Sequence, residues 1–299
     1  GATRIACIEC DMPYKDTVRR SVSNLLAKQV ADTVAESSEL FQDAKQRETE
    51  DKQTFLISWA QNATPIHKNF MKNLKAYAND LDAGLHIVAG RYSNPTSVFA
   101  DKDQDWWSPE VVPYLDAARH NIHEYMQILS DVKIPPTAST PLSGLNSITG
   151  LESCIVGHPR QQVKSLPILD GYPHKLLLST GACTVANYTD SKSGKKGEFH
   201  HSIGFTIVEL DGENFHVRQV SADEKGNFYD LFKRVKNGKV LENVEGAEAA
   251  VLGDIHIAHN DTKATEVAFK LLDEMKPNHT MLHDIVAVSY THLTLPTNR

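Results

Sequence analysis

Residues 249–284, AAVLGDIHIAHNDTKATEVAFKLLDEMKPNHTMLHD, contain two short apolar runs on either side of an amphipathic stretch. The runs at 249–254 and 280–284 are typical of buried strands, whereas 262–276 has the apolar spacing of a helix. Two strands joined by one helix form a right-handed βαβ unit with parallel strands. The stretch therefore predicts an α/β fold for this part of the chain.

The helix prediction rests on four apolar residues that recur at helical spacing, namely Val267, Leu271, Leu272 and Met275. Asp261 or Thr262 is a suitable N-cap, and Pro277 follows the last turn.

Three candidate metal ligands follow the two strands: Asp254, His256 and Asp284. In parallel α/β units, ligands bind beyond the carboxyl ends of the strands, where all three residues fall. Carboxylate and imidazole suit hard or borderline divalent metals, and an Asp can bridge two ions. Two ions roughly 3.5–4 Å apart activate water and hold both oxygens of a phosphate ester. The pattern predicts phosphoester hydrolysis.

The motifs GDIH (253–256) and LHD (282–284) resemble those of calcineurin-like metallophosphoesterases. The resemblance implies that Asp254 and His256 bind one ion and that Asp284 bridges to a second, with Mn²⁺ as the expected metal. His283 stands where the second motif of that family has Gly. The later Asn-His and Gly-His-x-His motifs are absent, so we expect 249–287 to be the start of a truncated phosphoesterase domain.

The last stretch, VSYTHLTLPTNR (288–299), resembles the translation of a sequencing-library adapter. The alternative is an ordinary Thr-rich tail. The first residue is Gly1 rather than Met. We therefore expect an open fragment that is inactive by itself and whose residues from Val288 onward form no part of the fold.

A second resemblance is to the early host-takeover DNases of T-five-type tailed phages. It covers about residues 53–286 and rests on long motifs at 60–70, 90–99, 106–115, 179–201 and 215–231. In that family an N-terminal region precedes a nuclease domain. The resemblance implies DNA as the partner and the cytoplasm of the infected bacterial host as the location.

Composition permits two compact units, because 299 residues with 40% apolar content can bury a sizeable core. No membrane span or signal peptide is evident in the sequence. The net charge of −7 argues weakly against a nucleic-acid partner, although basic patches can be local. Four cysteines suit a reducing cytosol. Cys7 and Cys10 form either half of a zinc ribbon or an isolated CxxC.

The rest of the chain predicts an α/β protein in two further parts. Residues 1–52 form a helical N-terminal segment, and 53–245 form an α/β domain with an antiparallel flank. This domain begins with strand 54–60, a helix from Thr64 or Pro65 to about Asp80, and strand 84–90. Part of 109–129 is expected to be helical. Four strands follow, in ESCIVG, KLLLSTGACTV, HSIGFTIVEL and NFHVRQV.

A basic, Gly-rich stretch at 190–201 predicts a mobile hairpin that contacts DNA phosphates through Lys192, Lys195, Lys196, His200 and His201. The alternative is a solvated turn.

Other polar residues have two interpretations. Four polar residues lie in loops that follow predicted strands, and they either line a binding cleft or are ordinary polar loop residues. They are Gln61, Asn62, Arg91 and Asn94. The lone histidines His158 and His174 are expected to be structural.

These features together predict a metal-dependent phosphodiesterase acting on DNA. The alternatives are a phosphatase for protein or small phosphoesters, and a non-catalytic DNA- or protein-binding host-takeover factor.

Overall fold

A computed structural model describes residues 53–91, 106–169, 172–212, 214–242, 247–256 and 260–283. The predictions for the helical segment 1–52 with Cys7 and Cys10, for Asn94, for Asp284 and for the tail 288–299 lie outside these residues. The chain divides into two units. The larger holds the described residues up to Tyr229 together with 235–240, and the smaller holds 230–234 and those from Leu241 onward.

The described residues form an α/β protein, which confirms the predicted class. Its strands are β1 (Gln53–Ala60), β2 (Gly84–Ala89), β3 (Leu115–Asp116), β4 (Arg119–His123), β5 (Met126–Leu129), β6 (Ser153–Val156), β7 (Gln162–Leu166), β8 (Lys175–Ser179), β9 (Gly204–Asp211), β10 (Asn214–Ser221), β11 (Phe228–Asp230), β12 (Lys233–Lys236), β13 (Lys239–Leu241), β14 (Ala249–Asp254) and β15 (His279–His283). Its helices are α1 (Lys68–Asp80), α2 (Lys192–His200) and α3 (Thr262–Met275).

The first sheet has the order β10-β9-β1-β2-β3. Strands β1, β2 and β3 are parallel, and β9 and β10 add the predicted antiparallel flank. Helix α1 connects β1 to β2 and begins later than predicted, because His67 is its N-cap and accepts a hydrogen bond from the Phe70 N–H at 3.1 Å. It ends at Asp80, as predicted. Phe70, Leu74 and Tyr77 bury its inner face.

The second sheet has the order β4-β5-β6-β8-β7, with a parallel centre and antiparallel edges. The expected helical part of 109–129 is only a short 3-10 helix at Val112–Tyr114, and β3, β4 and β5 follow it. Ile128 explains the difference. It is fully buried opposite Ile155 of β6, so pairing with neighbouring strands outweighs local helix propensity.

The basic stretch is helix α2 rather than the predicted hairpin. Ser191 caps the helix by accepting a hydrogen bond from the Gly194 N–H at 3.0 Å. Its two glycines serve close packing instead of a turn. A Cβ at Gly194 would collide with the Thr189 carbonyl oxygen, and one at Gly197 would lie 2.6 Å from the Tyr188 ring.

The core of the larger unit contains a cluster of four aromatic rings, Phe70, Tyr77, Phe205 and Phe228, with centroids 4.9–6.3 Å apart. Two buried cysteines lie in separate clusters. Cys183 packs with these aromatic residues, whereas Cys154 packs with Leu129 and Leu177. Burial raises the pKa of each thiol to about 12. None of the described helices has the length and apolar character needed to cross a lipid bilayer.

In the smaller unit, the structure confirms the strand, helix and strand predicted around 249–284, and β14 and β15 are parallel. Asp261 caps α3 by accepting a hydrogen bond from the Ala264 N–H at 3.0 Å. The predicted apolar face is only partly right. Val267 is 67% exposed, while Thr265, Ala268, Leu272 and Met275 form the less exposed side.

Candidate functional site

The predicted metal edge of the smaller unit begins at a β-bulge. The pairing of β14 with β15 shifts register between Leu252 and Asp254, which leaves Gly253 out of the ladder. Asp254 is then the pairing partner of His283. Bulges of this kind frequently re-aim a side chain beside a functional site. The structure thus brings the last residues of the two strands to the same edge of the sheet, as the sequence predicts for parallel strands.

His256 follows this edge in a left-handed backbone conformation, with φ of 47°. A non-glycine residue rarely adopts this conformation, and strained positions concentrate at functional sites. The residue lines a cavity of about 380 Å³ together with Gly253, Asn260, Asp261 and Thr265. An imidazole nitrogen with several oxygen groups is a donor set that suits a divalent cation. The side chain of Asp254 and all of Asp284 lie outside the described residues.

The predicted DNA-contacting lysines lie on α2, where they differ in their environment. Lys195 forms ion pairs with Asp190 at 2.8 Å and with Glu198 at 3.0 Å. These acidic partners raise the pKa of Lys195 and satisfy its charge. Lys192 and Lys196 are exposed and one helical turn apart on the same face.

The two histidines that follow the lysines also differ. His201 uses both ring nitrogens inside the protein, because Nε2–H donates to the Thr184 carbonyl at 2.9 Å and Nδ1 accepts from the Tyr188 hydroxyl at 3.0 Å. These two internal hydrogen bonds leave neither ring nitrogen of His201 for a DNA phosphate. His200 is partly exposed and packs edge-on against Phe199, with ring centroids 5.0 Å apart.

Phe199 is a feature of this helix that sequence reasoning missed. Its side chain is 85% exposed, although large apolar side chains are usually covered. It shares a helix face with Lys192 and Lys196 through spacings of seven and three residues. The predicted hairpin gave no reason to group these three residues, because they share a face only in a helix.

The polar residues after β1 form a buried network within the larger unit rather than an open cleft. Gln61 Nε2 donates to Asn62 Oδ1 at 2.6 Å, and the Asn187 amide donates to the Thr64 hydroxyl at 2.7 Å. Arg91 donates to the Ser130 carbonyl at 2.9 Å. These contacts favour a structural role for the polar loop.

The lone histidines have no sign of a catalytic role. His158 is fully buried, donates through Nε2–H to the Pro135 carbonyl at 3.1 Å, and accepts at Nδ1 from the Arg160 N–H at 3.0 Å. Burial lowers the pKa of His158 to about 4. The structural role expected of this residue agrees with these contacts. His174 is exposed.

A second group of metal-ligating side chains was not foreseen from the sequence. His86 of β2, Asp116 of β3 and His120 of β4 are buried together, and their ligand atoms lie within 4.8 Å of one another. Two imidazoles and one carboxylate could hold a metal ion. Little in the sequence points to this cluster, because 29 residues lie between His86 and Asp116 and the region of β3 and β4 was expected to be partly helical.

Comparison with known proteins identifies a relative in sequence. No protein-family model matches the chain. Protein A1 of Escherichia phage T5 is 28% identical over 260 residues, which are 81% of this chain and 46% of that protein. The chain thus spans less than half the length of this relative.

Two solved structures of Chaetomium thermophilum Vps29 give weak structural matches. The first is 10% identical with a TM-score of 0.32, and it covers 64% of this chain and all of Vps29. The second, complexed with the RaPID-derived cyclic peptide RT-D3, is 11% identical with a TM-score of 0.30, and it covers 60% of this chain and 92% of that one. Scores of this size establish no shared fold. The chain is therefore similar to a phage protein over most of its own length.

Proposed function

We propose that the chain is part of a metal-dependent phosphodiesterase that cleaves DNA in the cytoplasm of an infected bacterial host. The observation that carries this proposal is the parallel pairing of β14 with β15. It brings Asp254 to the same sheet edge as His283, the residue that precedes Asp284 in the sequence. Similarity to a phage protein supports the biological setting.

The residues at this edge have distinct roles in the proposal. Asp254 and His256 would hold one ion, and Asp284 would bridge to a second. When bound, two divalent ions, Mn²⁺ first among them, supply an activated water and stabilise the charge on the phosphate. The register shift at Gly253 lies directly before Asp254. His256 lines the cavity that would receive the phosphate.

The face of α2 favours DNA over a small phosphoester. Lys192 and Lys196 offer exposed positive charge to backbone phosphates, and Phe199 offers an exposed ring on which an unpaired base can stack. A phosphatase for small esters requires neither group. The alternative of a non-catalytic DNA-binding factor uses the same face, and an activity assay separates the two.

The test uses a gene product of the relative's length that contains this chain. We expect Mn²⁺-dependent cleavage of an end-labelled DNA duplex, and loss of that cleavage in Asp254→Asn, because the substitution keeps the shape but removes the negative charge that a cation needs. Asp273→Asn is the matched control, since Asp273 is an exposed residue of α3. It should cleave like the wild type.

Several outcomes would overturn the proposal. Equal cleavage by the wild type and Asp254→Asn would remove Asp254 from the site. DNA binding without cleavage at any divalent metal would favour the binding factor. Cleavage of a small phosphoester but not of DNA would favour the phosphatase.

A further inference from the structure

A buried carboxylate in the larger unit has two imidazoles beside one of its oxygens. Asp116 Oδ2 lies 2.7 Å from His86 Nε2 and 2.8 Å from His120 Nε2. The other oxygen, Oδ1, accepts a hydrogen bond from the Ala118 N–H at 3.0 Å. Exposure is 1% for His86, 0% for Asp116 and 6% for His120, so water does not solvate this group.

The alignment of these contacts differs from that of a hydrogen-bonded triad. Asp116 Oδ2 has no aligned hydrogen bond, although both nitrogens are close to it. His86 Nε2 is also 3.3 Å from the Ser130 hydroxyl, so one ring nitrogen faces two oxygens. A single N–H cannot serve both, whereas a cation placed among the donors contacts all of them at once. The two rings are nearly perpendicular, with an interplanar angle of 85°.

Charge also favours a cation at this position. The Asp116 carboxylate is fully buried between the two imidazoles, so no solvent screens its charge. An ionised carboxylate that is fully buried requires compensation by a positive charge or a metal.

We propose that His86, Asp116 and His120 bind a single divalent transition-metal ion of the Zn²⁺ class. Two nitrogens and one oxygen form a donor set that Zn²⁺ accepts, and the buried hydroxyl of Ser130 or a water completes four-coordination. Because β2 and β3 belong to the first sheet and β4 to the second, the ion fastens the two sheets together. Its role is structural. It is separate from the ions proposed for Asp254 and His256.

The experiment measures metal content in the full chain, in a Cys7→Ser/Cys10→Ser background that removes the CxxC thiols as ligands. After dialysis against metal-free buffer, mass spectrometry should find roughly one equivalent of Zn²⁺ per chain. The equivalent should be lost in Asp116→Asn and His120→Ala. It should persist in His123→Ala, a histidine of the same strand outside the cluster, and in His256→Ala, which separates this proposal from the proposed function.

A second measurement applies if the ligand variants do not fold. Co²⁺ added to metal-free wild-type protein should give the visible absorption of a low-symmetry nitrogen and oxygen site, and Zn²⁺ should abolish it. Chelation should also lower the unfolding midpoint of the wild type. Absence of a bound ion in the wild type, or an equal metal content in Asp116→Asn, would overturn the proposal.

Discussion

Two histidines of the larger unit are fixed as neutral tautomers by their surroundings. His158 and His201 each donate through Nε2–H to a backbone carbonyl and accept a hydrogen bond at Nδ1. Protonation would place a second N–H opposite a donor. Burial is the main cause that lowers the pKa of both residues to about 4. As the pH falls, these two histidines are therefore protonated in the unfolded chain before they are protonated in the folded protein.

This difference predicts loss of stability in mild acid. The unfolded histidines take up protons below about pH 6.5, while the folded ones do not until about pH 4, so the free energy of unfolding falls as the pH falls across this window. Each histidine contributes a slope of up to about 1.4 kcal/mol per pH unit. Denaturant unfolding from pH 7 to pH 4 measures the slope.

A variant set tests which residues are responsible. His201→Gln should reduce the slope of the free energy of unfolding against pH by the amount that corresponds to the uptake of about one proton. His158→Gln should reduce it by the same amount. His174→Gln controls for loss of a histidine, since His174 is exposed. An unchanged slope in both buried-site variants would contradict the assignment.

Among the secondary-structure elements, α2 has the clearest link to function. Its glycines allow the helix to approach Tyr188 and Thr189, and Ser191 fixes where it begins. The opposite face is left exposed with Lys192, Lys196 and Phe199.

The geometry predicts unequal contributions of the three lysines to DNA binding. Lys192→Ala/Lys196→Ala should weaken binding and reduce the salt slope of log K by up to about 2, because each neutralised phosphate adds about 0.9. Lys195→Ala is the matched control and should change the slope less, because Asp190 and Glu198 already neutralise this lysine. Fluorescence anisotropy at several salt concentrations measures the slope. A larger effect from Lys195→Ala would mean that its ion pairs open in the complex.

Local pattern was sufficient for some elements and misleading for others. The unit at 249–283 was predictable because its strands are apolar runs and Asp261, as an N-cap, and Pro277 mark the ends of α3. Helix α2 was not predictable, because the sequence does not distinguish a glycine that packs against a ring from a glycine in a turn. Strands β4 and β5 were missed because β5 pairs with β6, which is distant in sequence, and β4 pairs in turn with β5.

For the molecule as a whole, the two units differ in how well the described residues bury apolar side chains. Strand β1 contains Leu56 and Ile57, both fully buried, whereas Val251 of β14 is 69% exposed and Met281 of β15 is 58% exposed. Burial of apolar surface is the main source of stability. We therefore expect the larger unit to be the stable part of the chain. The cluster of His86, Asp116 and His120 depends on the tertiary structure, because three strands from two sheets must come together to form it.

The buried cysteines make the opening of this larger unit measurable. Alkylation requires a thiolate, and with a pKa of about 12 only about one thiol in ten thousand is ionised at pH 8. Native Cys154 and Cys183 should therefore be alkylated only when the structure around them opens. Mass spectrometry of the peptides, with unfolded protein as the control, gives a rate for each residue. Fast labelling of either residue under native conditions would contradict its burial.

Because Cys154 belongs to β6 of the second sheet and Cys183 packs in the core of the first, the two rates report on different sheets. Equal rates would indicate that both sheets open in one cooperative event. Unequal rates would identify which sheet opens first by sub-global unfolding and give the free energy of each step. Two residues without any assigned chemistry thus become internal probes of the cooperativity of the fold.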